Sequence, residues 1–165
     1  MSGVRRAGPA DASSIAAVQA ASWHTTYRGL IDDAALDRIT PESCLPQWER
    51  ALAGDGTVFV ADDGGEVVAF CSVGVPASDE APVGEITAMY AVEHGQRRGH
   101  GRRLMAAALA WFREQGCAEA RLWVLDGNRL GRSFYEKRGW RPTGEVQRDE
   151  VFGAVADHVR YSFGL

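Results

Sequence analysis

The sequence predicts an α/β fold with a mixed, twisted sheet of about six or seven strands and helices on both faces. Two apolar strand patterns, GEITAMYAV and ARLWVL, are each followed by a helical pattern, and such βα crossovers predict parallel strands. The turn signal DDGGE joins two further strand patterns, which predicts an antiparallel hairpin. A length of 165 residues is typical of one domain, so we expect a single domain over residues 1–165.

The first third of the chain predicts one strand and two helices. Val4–Ala7 is a short strand pattern, and the Gly8-Pro9 pair begins a helix that is predicted to run to about Ser22. The aromatic stretch SWHTTYRGLIDD then predicts a loop or a broken helix. A second helix is predicted from about Pro41 to Leu52, with Gly54 favouring its end.

The rest of the chain alternates strands and helices. TVFVADD and EVVAFCSVGV are the arms of the hairpin, and GEITAMYAV is apolar throughout, as is typical of a strand buried on both faces. The clearest helix runs from Gly99 to Gln115, because its apolar residues recur at helical spacing. A shorter helix begins after Asn128 and ends near Arg138, and WRPTGEVQ and HVRYSF complete the predicted sheet.

The composition is that of an ordinary globular protein, with 45% hydrophobic and 24% charged residues. A formal net charge of −4 disfavours a nucleic-acid partner, because binding along a phosphate backbone needs a basic face. The three cysteines and four histidines lack the spacing of a metal site, so we expect no metal. Since no apolar stretch has the length of a membrane span and no leader pattern is present, we expect no membrane partner and a cytoplasmic protein.

Glycines and arginines are concentrated in the stretch EHGQRRGHGRRLM, residues 93–105, at the start of the clearest helix. A helix N-terminus presents free N–H groups and a partial positive charge. Gly99 and Gly101 lack a Cβ, so an anion can approach the backbone, and Arg97, Arg98 and Arg102 can neutralise its charge. These features indicate a diphosphate site, with a solvated basic turn as the alternative interpretation.

Three phosphate-binding patterns distinguish the possible ligands. The Walker pattern GxxxxGK[ST] does not occur in this sequence. The Rossmann pattern GxGxxG begins at Gly99, but Leu104 stands at its third glycine, so a Rossmann-like nucleotide binder is a remote alternative. The third pattern, Gln/Arg-x-x-Gly-x-Gly/Ala, matches the residues from Gln96 to Gly101.

With this pattern, the chain resembles the GNAT superfamily of N-acetyltransferases, which carry it as their acetyl-CoA pyrophosphate loop. The resemblance extends from about Val4 to Phe163 and includes a second signature, LWVLDGNRLGRSFYEKRGW, at the family's spacing. It implies a GNAT-like domain with a splayed strand pair and acetyl-CoA as cosubstrate. It also implies acetyl transfer to a primary amine of a small molecule or peptide, by direct attack in a ternary complex.

The resemblance assigns the cosubstrate site to the splayed strand and the loop. Pantetheine would insert at a bulge beside Met89, Tyr90 and Ala91, where a backbone N–H would stabilise negative charge on the thioester oxygen. Asn128 would contact the pantetheine arm or an ordered water, and would also cap the next helix. Tyr135 would contact the cosubstrate as well. The loop residues assigned to the diphosphate are Gln96, Arg97, Arg98, Gly99, His100, Gly101 and Arg102.

The resemblance also implies two catalytic candidates. Tyr135 stands where the family has its acid toward the departing thiolate, and its alternative role is to pack the helix into the core. A tyrosine pKa of about 10 exceeds a thiol pKa of about 8.5, so we expect a hydrogen bond with only partial proton transfer. Glu85 opens the splayed strand and is the candidate base for the amine, with a solvated charge at a strand end as the alternative.

The acceptor side is defined less sharply. In this fold the first helices would supply Trp23, His24 and Tyr27, and the last strands Asp149 and Glu150. Such an aromatic and acidic pocket would suit a cationic amine, with core aromatics beside a polar loop as the alternative.

Departures from the family pattern bear on the acceptor and on the overall function. Trp123 stands where acetyltransferases of protein N-termini often carry a glutamate, which disfavours that acceptor. Gly131 replaces a common alanine, and Gly95 a bulkier residue. We expect an enzyme, the alternative being a non-catalytic acyl-CoA-binding module on the same fold. The last strand, HVRYSF, also offers an edge for a homodimer.

Overall fold

The computed structural model describes residues 3–78, 80–151 and 153–165. Seven strands and five α-helices lie within these residues. The strands are β1 Gly3–Arg6, β2 Thr57–Asp63, β3 Glu66–Gly74, β4 Val83–Ala91, β5 Glu119–Leu125, β6 Arg141–Val151 and β7 Ala154–Gly164. The helices are α1 Ala12–Tyr27, α2 Asp33–Leu36, α3 Pro41–Ala53, α4 His100–Glu114 and α5 Arg129–Glu136. None of these helices is both long and apolar enough to cross a membrane.

The strands form one mixed sheet in the order β1-β2-β3-β4-β5-β7-β6. The predicted hairpin is present, and its turn residues Gly64 and Gly65 both have positive φ, at 65° and 90°. Both crossovers were expected to produce parallel pairs, which is correct for β4 with β5 but wrong for β5 with β6. The last strand, β7, pairs with both β5 and β6 and so separates them, because β6 and β7 form a hairpin.

The central parallel pair is joined along only part of its length. Val83–Ile86 of β4 pairs with Glu119–Leu122 of β5, and the two strands then diverge. Beyond this point β4 continues beside β3 alone, and β5 continues beside β7 alone. The predicted splayed strand pair is therefore present, and it leaves a gap between β4 and β5.

Helices cover both faces of the sheet, as predicted. Helices α1 and α3 pack on one face, which we call the α1 face, and α4 packs on the other, the α4 face. Side chains of β4 alternate between them, because Tyr90 packs with the first cluster while Met89 and Ala91 pack with the second. The gap between β4 and β5 is therefore accessible to side chains from both faces.

Helix α1 is longer than the sequence patterns predict. It begins after a 3₁₀ turn at Pro9–Asp11 and includes residues 22–27, the first half of the aromatic stretch that was expected to be a loop or a broken helix. The second half of that stretch contains a break before α2 begins at Asp33. Trp23 and Tyr27 are one helical turn apart, are both buried, and meet edge to face with ring centroids 4.7 Å apart. Their burial stabilises the last turn of the helix despite the polar residues beside them.

Candidate active site

A cavity of about 530 Å³ occupies the gap between β4 and β5. Met89 and Ala91 line it from the α4 face, and Tyr27 and Tyr90 from the α1 face, so the cavity passes through the sheet. Beyond these strands it is lined by the glycine-arginine loop, the start of α4, and α5 with the residues that follow it. All three β4 residues predicted to lie beside the cosubstrate therefore line one cavity with the loop.

Strand β4 bulges at Thr87. Ile86 pairs with Val73 and Ala88 pairs with Ser72, so Thr87 is the extra residue of the bulge. Its Oγ1 donates a hydrogen bond to the Ser72 carbonyl oxygen at 3.3 Å. The bulge was expected beside Met89–Ala91 and lies two residues before that segment. Nothing in the sequence marks this position, because threonine is favourable in regular strands.

The glycine-arginine loop is attached to the end of β4 and has an unusual backbone. Gln96 Nε2 donates to the Ala91 carbonyl oxygen at 3.2 Å, so this side chain anchors the loop. Arg97 and Gly99 both have left-handed φ values, 59° and 82°. Left-handed residues within a turn direct neighbouring N–H groups toward one side, which makes an anion-binding concavity. A Cβ added at Gly99 would lie in open space, so glycine is required there for its backbone conformation.

Two of the predicted loop ligands have side chains that leave the cavity. Arg98 forms an ion pair with Asp63 at the end of β2. His100 is only 2% exposed, its Nε2 lies 3.6 Å from an Asp63 carboxylate oxygen, and its Nδ1 lies 3.0 Å from Arg103. The charge-neutralising role expected for the Arg98 side chain is therefore not supported, and the side chains of Arg98 and His100 instead connect the loop to β2. Their backbone N–H groups stay predicted ligands.

Four cations do converge on the cavity. Arg97 and Arg102 were predicted from the loop, whereas Lys137 and Arg138, which follow α5, were missed. The Arg138 guanidinium lies 3.7 Å from the ring centre of Phe134, and burial together with the charge of Arg102 lowers its pKa. No carboxylate lies among the described lining residues, so this part of the cavity favours an anion. The sequence signal for these two missed residues was a basic pair directly after the helix that carries Tyr135.

Tyr135 lines the same cavity and is largely buried, with 9% of its surface exposed. Its ring contacts Phe134, Trp140 and Tyr161, with centroids between 5.4 and 6.3 Å away. Burial is the main cause that raises the pKa of Tyr135, and nearby Cys71 adds to it. Tyr135 therefore packs its helix into the core and also lines the cavity, and its phenol stays protonated at neutral pH.

Asn128 also combines two roles. Its Oδ1 accepts a hydrogen bond from the Gly131 N–H at 2.9 Å, which caps α5, and the residue lines the cavity. A Cβ at residue 131 would lie 2.7 Å from Nδ2 of Asn128. The glycine at this position, an apparent departure in the sequence, makes room for the folded-back side chain of Asn128.

Glu85, the predicted base, does not line the cavity. It pairs with Arg121 of β5 and Gly74 of β3, on the part of β4 where the strands are still joined. The described lining residues include neither a carboxylate nor a histidine. This position does not support Glu85 as a base in direct contact with the acceptor.

The predicted acceptor residues separate into two groups. Tyr27 lines the cavity with its hydroxyl 3.3 Å from that of Tyr90, and Trp23 lines a second cavity beside it. His24 Nε2 instead bonds to the Ile39 carbonyl oxygen at 2.8 Å. The expected acidic wall is not formed there, because Asp149 and Glu150 are exposed on β6 and line neither cavity. Around the described residues, no group of three or more potential metal ligands was found.

Comparisons with known proteins agree with this architecture. The sequence profile of the acetyltransferase (GNAT) family matches residues 20–140. The chain is 35% identical over 128 residues to an uncharacterized N-acetyltransferase of Bacillus subtilis, covering 76% of this chain and 72% of that protein. It is 34% identical over 123 residues to the aminoglycoside N(6')-acetyltransferase type 1 of Stenotrophomonas maltophilia, covering 70% and 71%. The PaiA N-acetyltransferase of Thermoplasma acidophilum, solved with coenzyme A, has the same fold, with a TM-score of 0.75 at 20% identity over 100% of this chain and 99% of that one.

Proposed function

Because the chain belongs to the acetyltransferase (GNAT) family, we propose that the cavity between β4 and β5 binds acetyl-CoA and that the protein transfers the acetyl group to a primary amine. The observation that carries this proposal is the convergence of Arg97, Arg102 and Tyr135 on one cavity at a split in the sheet. The coenzyme A bound to the structural neighbour from Thermoplasma acidophilum supports the choice of ligand.

The residues present fit acetyl-CoA. The left-handed turns at Arg97 and Gly99 and the N-terminus of α4 suit a diphosphate, and the adjacent cations suit its charge. Beyond Ile86, no described strand lies beside the edge of β4 that faces β5. The backbone groups on this edge of β4 can therefore bond to the amides of a pantetheine arm. When bound, acetyl-CoA supplies an acetyl group that is activated as a thioester.

The Tyr135 hydroxyl donates a hydrogen bond to the departing sulfur. The amine nitrogen attacks the thioester carbon, the C–N bond forms as the C–S bond breaks, and the proton lost by nitrogen balances the one gained by sulfur. Because burial raises the pKa of Tyr135, its hydroxyl is a weaker acid than a tyrosine in water. The hydroxyl therefore stabilises the sulfur mainly by donating a hydrogen bond, and full transfer would come from water.

Water is also the proposed acceptor of the amine proton. An amine with a pKa of about 10.4 is neutral less than about one time in a thousand at pH 7, so its deprotonation needs assistance. The described lining residues offer no carboxylate or histidine for this task. A water chain through the cavity can carry the proton to solvent.

The aminoglycoside substrate of the Stenotrophomonas relative is a polycation. Recognition of a polycation relies on carboxylates, and none lies among the described residues that line the cavity. We therefore propose a primary amine of a small molecule or peptide, without a polycationic body.

The test is an acetyl-transfer assay on the purified protein. Acetyl-CoA is mixed with a panel of primary amines, thiol release is followed continuously, and product masses are measured. The proposal predicts amine-dependent thiol release and a product heavier by one acetyl group. A protein that binds CoA but releases no thiol in the presence of any of the amines would instead be the non-catalytic acyl-CoA-binding module.

A further inference from the structure

A second cavity, of about 320 Å³, lies on the α1 face between α1, α3 and β4. Its aromatic walls are Trp23, Trp48 and Tyr90, and its polar groups include the amides of Gln19 and Gln47. The volume is within the range that accommodates a small organic group. We call it the aromatic cavity.

The aromatic cavity and the cavity at the strand split share three lining residues, Thr87, Ala88 and Tyr90. Thr87 is the bulge residue of β4, so the two cavities meet where this strand is deformed beside the split. A molecule held in the aromatic cavity therefore reaches the split from the α1 face. The cations of the split lie on the other side, on the loop and after α5.

The aromatic cavity differs sharply from the cationic end of the split in its charge. None of the described residues that line it is charged. The residues that helix α1 adds to the split, Ser22, Thr26 and Tyr27, are also uncharged. A charged group placed here would lose hydration without gaining a counter-charge, whereas an apolar ring would lose little.

The polar groups of the aromatic cavity are held in fixed positions. Gln19 is 5% exposed, and its Oε1 accepts hydrogen bonds from Trp48 Nε1 at 2.6 Å and from Gln47 Nε2 at 3.3 Å. Around this network, the ring of Trp48 meets Phe70 edge to face at 5.0 Å, and Phe70 lies 5.8 Å from Tyr90. Rigid aromatic walls of this kind favour a planar ring in edge-to-face contact.

From these features we infer that the amine acceptor has an uncharged, aromatic body that lies in the aromatic cavity while its amino group reaches the split at Thr87. This inference rests on the proposed acetyltransferase function and specifies its substrate class. The aromatic cavity selects the body of the acceptor, and the split holds the acetyl-CoA and the Tyr135 hydroxyl.

The test compares primary amines that differ in their bodies. Phenethylamine and 4-(2-aminoethyl)benzamide represent neutral aromatic amines, whereas agmatine and spermidine represent cationic ones. We expect kcat/KM for phenethylamine to exceed that for spermidine by about tenfold or more. CoA binding is measured in parallel by calorimetry on the same sample.

A charge placed in the aromatic cavity provides the sharper test. Gln47 is exposed at the rim, so Gln47→Glu is expected to fold and to add a carboxylate that favours a cationic body. We expect this variant to lower the preference for phenethylamine over spermidine by about tenfold. Gln115→Glu makes the same chemical change in an exposed residue after α4, and we expect it to leave the preference unchanged.

A substitution that reduces the volume of the aromatic cavity separates binding from chemistry. Ala51 lines the cavity from α3, so Ala51→Leu fills part of it while keeping a good helix former. We expect KM for phenethylamine to rise by about tenfold, with kcat/KM for ethylamine unchanged.

The outcomes distinguish this inference from the proposed function. Cationic amines preferred over aromatic ones, or an unchanged preference in Gln47→Glu, would overturn the inference. CoA binding with no acetylation of either aromatic amine would overturn it as well, while leaving the cosubstrate site intact. A folded protein that does not bind CoA would contradict the proposed function itself.

Discussion

The ring of Phe134 fills the space beside Gly101, where an added Cβ would lie 2.9 Å from Cε2 of the ring. Gly101 is in the first turn of α4, and Phe134 precedes Tyr135 on α5. The absence of a side chain at Gly101 therefore allows the Phe134 ring to lie against the first turn of α4. The contact fixes the glycine-arginine loop relative to Tyr135, so packing accounts for a glycine that the sequence pattern assigned to anion approach.

We predict that Gly101→Ala displaces Phe134 and with it Arg138, whose guanidinium lies over the Phe134 ring. The expected loss of stability is about 1 kcal/mol, because overpacking costs about 1–3 kcal/mol and alanine regains part of this in a helix. KM for acetyl-CoA should rise as well. Urea unfolding and initial rates measure the two effects. Gly74→Ala is the control, since no atom lies within 4 Å of its Cβ position, and equal behaviour of the two variants would contradict the account.

Tyr135→Phe removes the hydroxyl and keeps the ring contacts. We expect kcat to fall by about 10²–10³-fold, which is the range for loss of a proton donor, with KM for acetyl-CoA nearly unchanged. Because the pKa of Tyr135 is raised above its ordinary value near 10, its hydroxyl keeps its proton throughout pH 6–9. The wild-type rate should therefore rise over this range as the amine loses its proton. Transfer rates that Tyr135→Phe leaves unchanged across pH 6–9 would show that Tyr135 has no such role.

Two arginines of the loop provide a matched pair of variants. The side chain of Arg102 lines the cavity, whereas that of Arg98 pairs with Asp63 outside it. We expect Arg102→Met to weaken CoA binding by roughly tenfold, the value of one charge-assisted hydrogen bond, and Arg98→Met to have less than about a twofold effect. Calorimetry gives both dissociation constants. Acetylpantetheine, which lacks the diphosphate, should bind both variants as it binds the wild type, and an equal loss of CoA affinity in the two variants would exclude the proposed diphosphate position.

Glu85→Gln tests where the amine proton goes. Loss of a general base in contact with the amine costs about 10²–10⁴-fold in rate. Since Glu85 pairs with Gly74 and Arg121 on the joined part of the strands, we expect less than about a threefold change in kcat. Steady-state rates between pH 6 and 9 provide the measurement. A fall beyond about a hundredfold, with a changed pH profile, would restore Glu85 as the base.

Much of the fold follows from local signals in the sequence. The hairpin at Gly64 and Gly65, the helix that starts near Gly99, and the N-cap at Asn128 all depend on residues close in sequence. The pairing of β7 between β5 and β6 depends on contacts between distant segments, so periodicity could not reveal it. Helix α1 extends past the polar residues after Trp23 because tertiary packing outweighs local propensity there.

The candidate site likewise combines features that depend on residues close in sequence with features that depend on distant segments. Arg97 and Arg102, which the loop pattern predicts as ligands, line the cavity, because their spacing from the helix start determines their position. The direction of the Arg98 side chain depends on Asp63, which is 35 residues away in the chain. Arg138 was missed for a related reason, since its position near Arg102 depends on packing between segments that are distant in sequence.

Ligand-dependent thermal unfolding shows whether the protein binds acetyl-CoA. The wild-type protein is heated with acetyl-CoA, CoA, NAD or ATP, each at saturating concentration. A ligand at about 100 times its Kd adds about 2.7 kcal/mol of stability, which for a chain of this size raises Tm by roughly 5–10 °C. We predict this rise with acetyl-CoA and CoA and not with NAD or ATP. A folded sample whose Tm does not change with either CoA species would contradict the assignment of the strand split as the acetyl-CoA site.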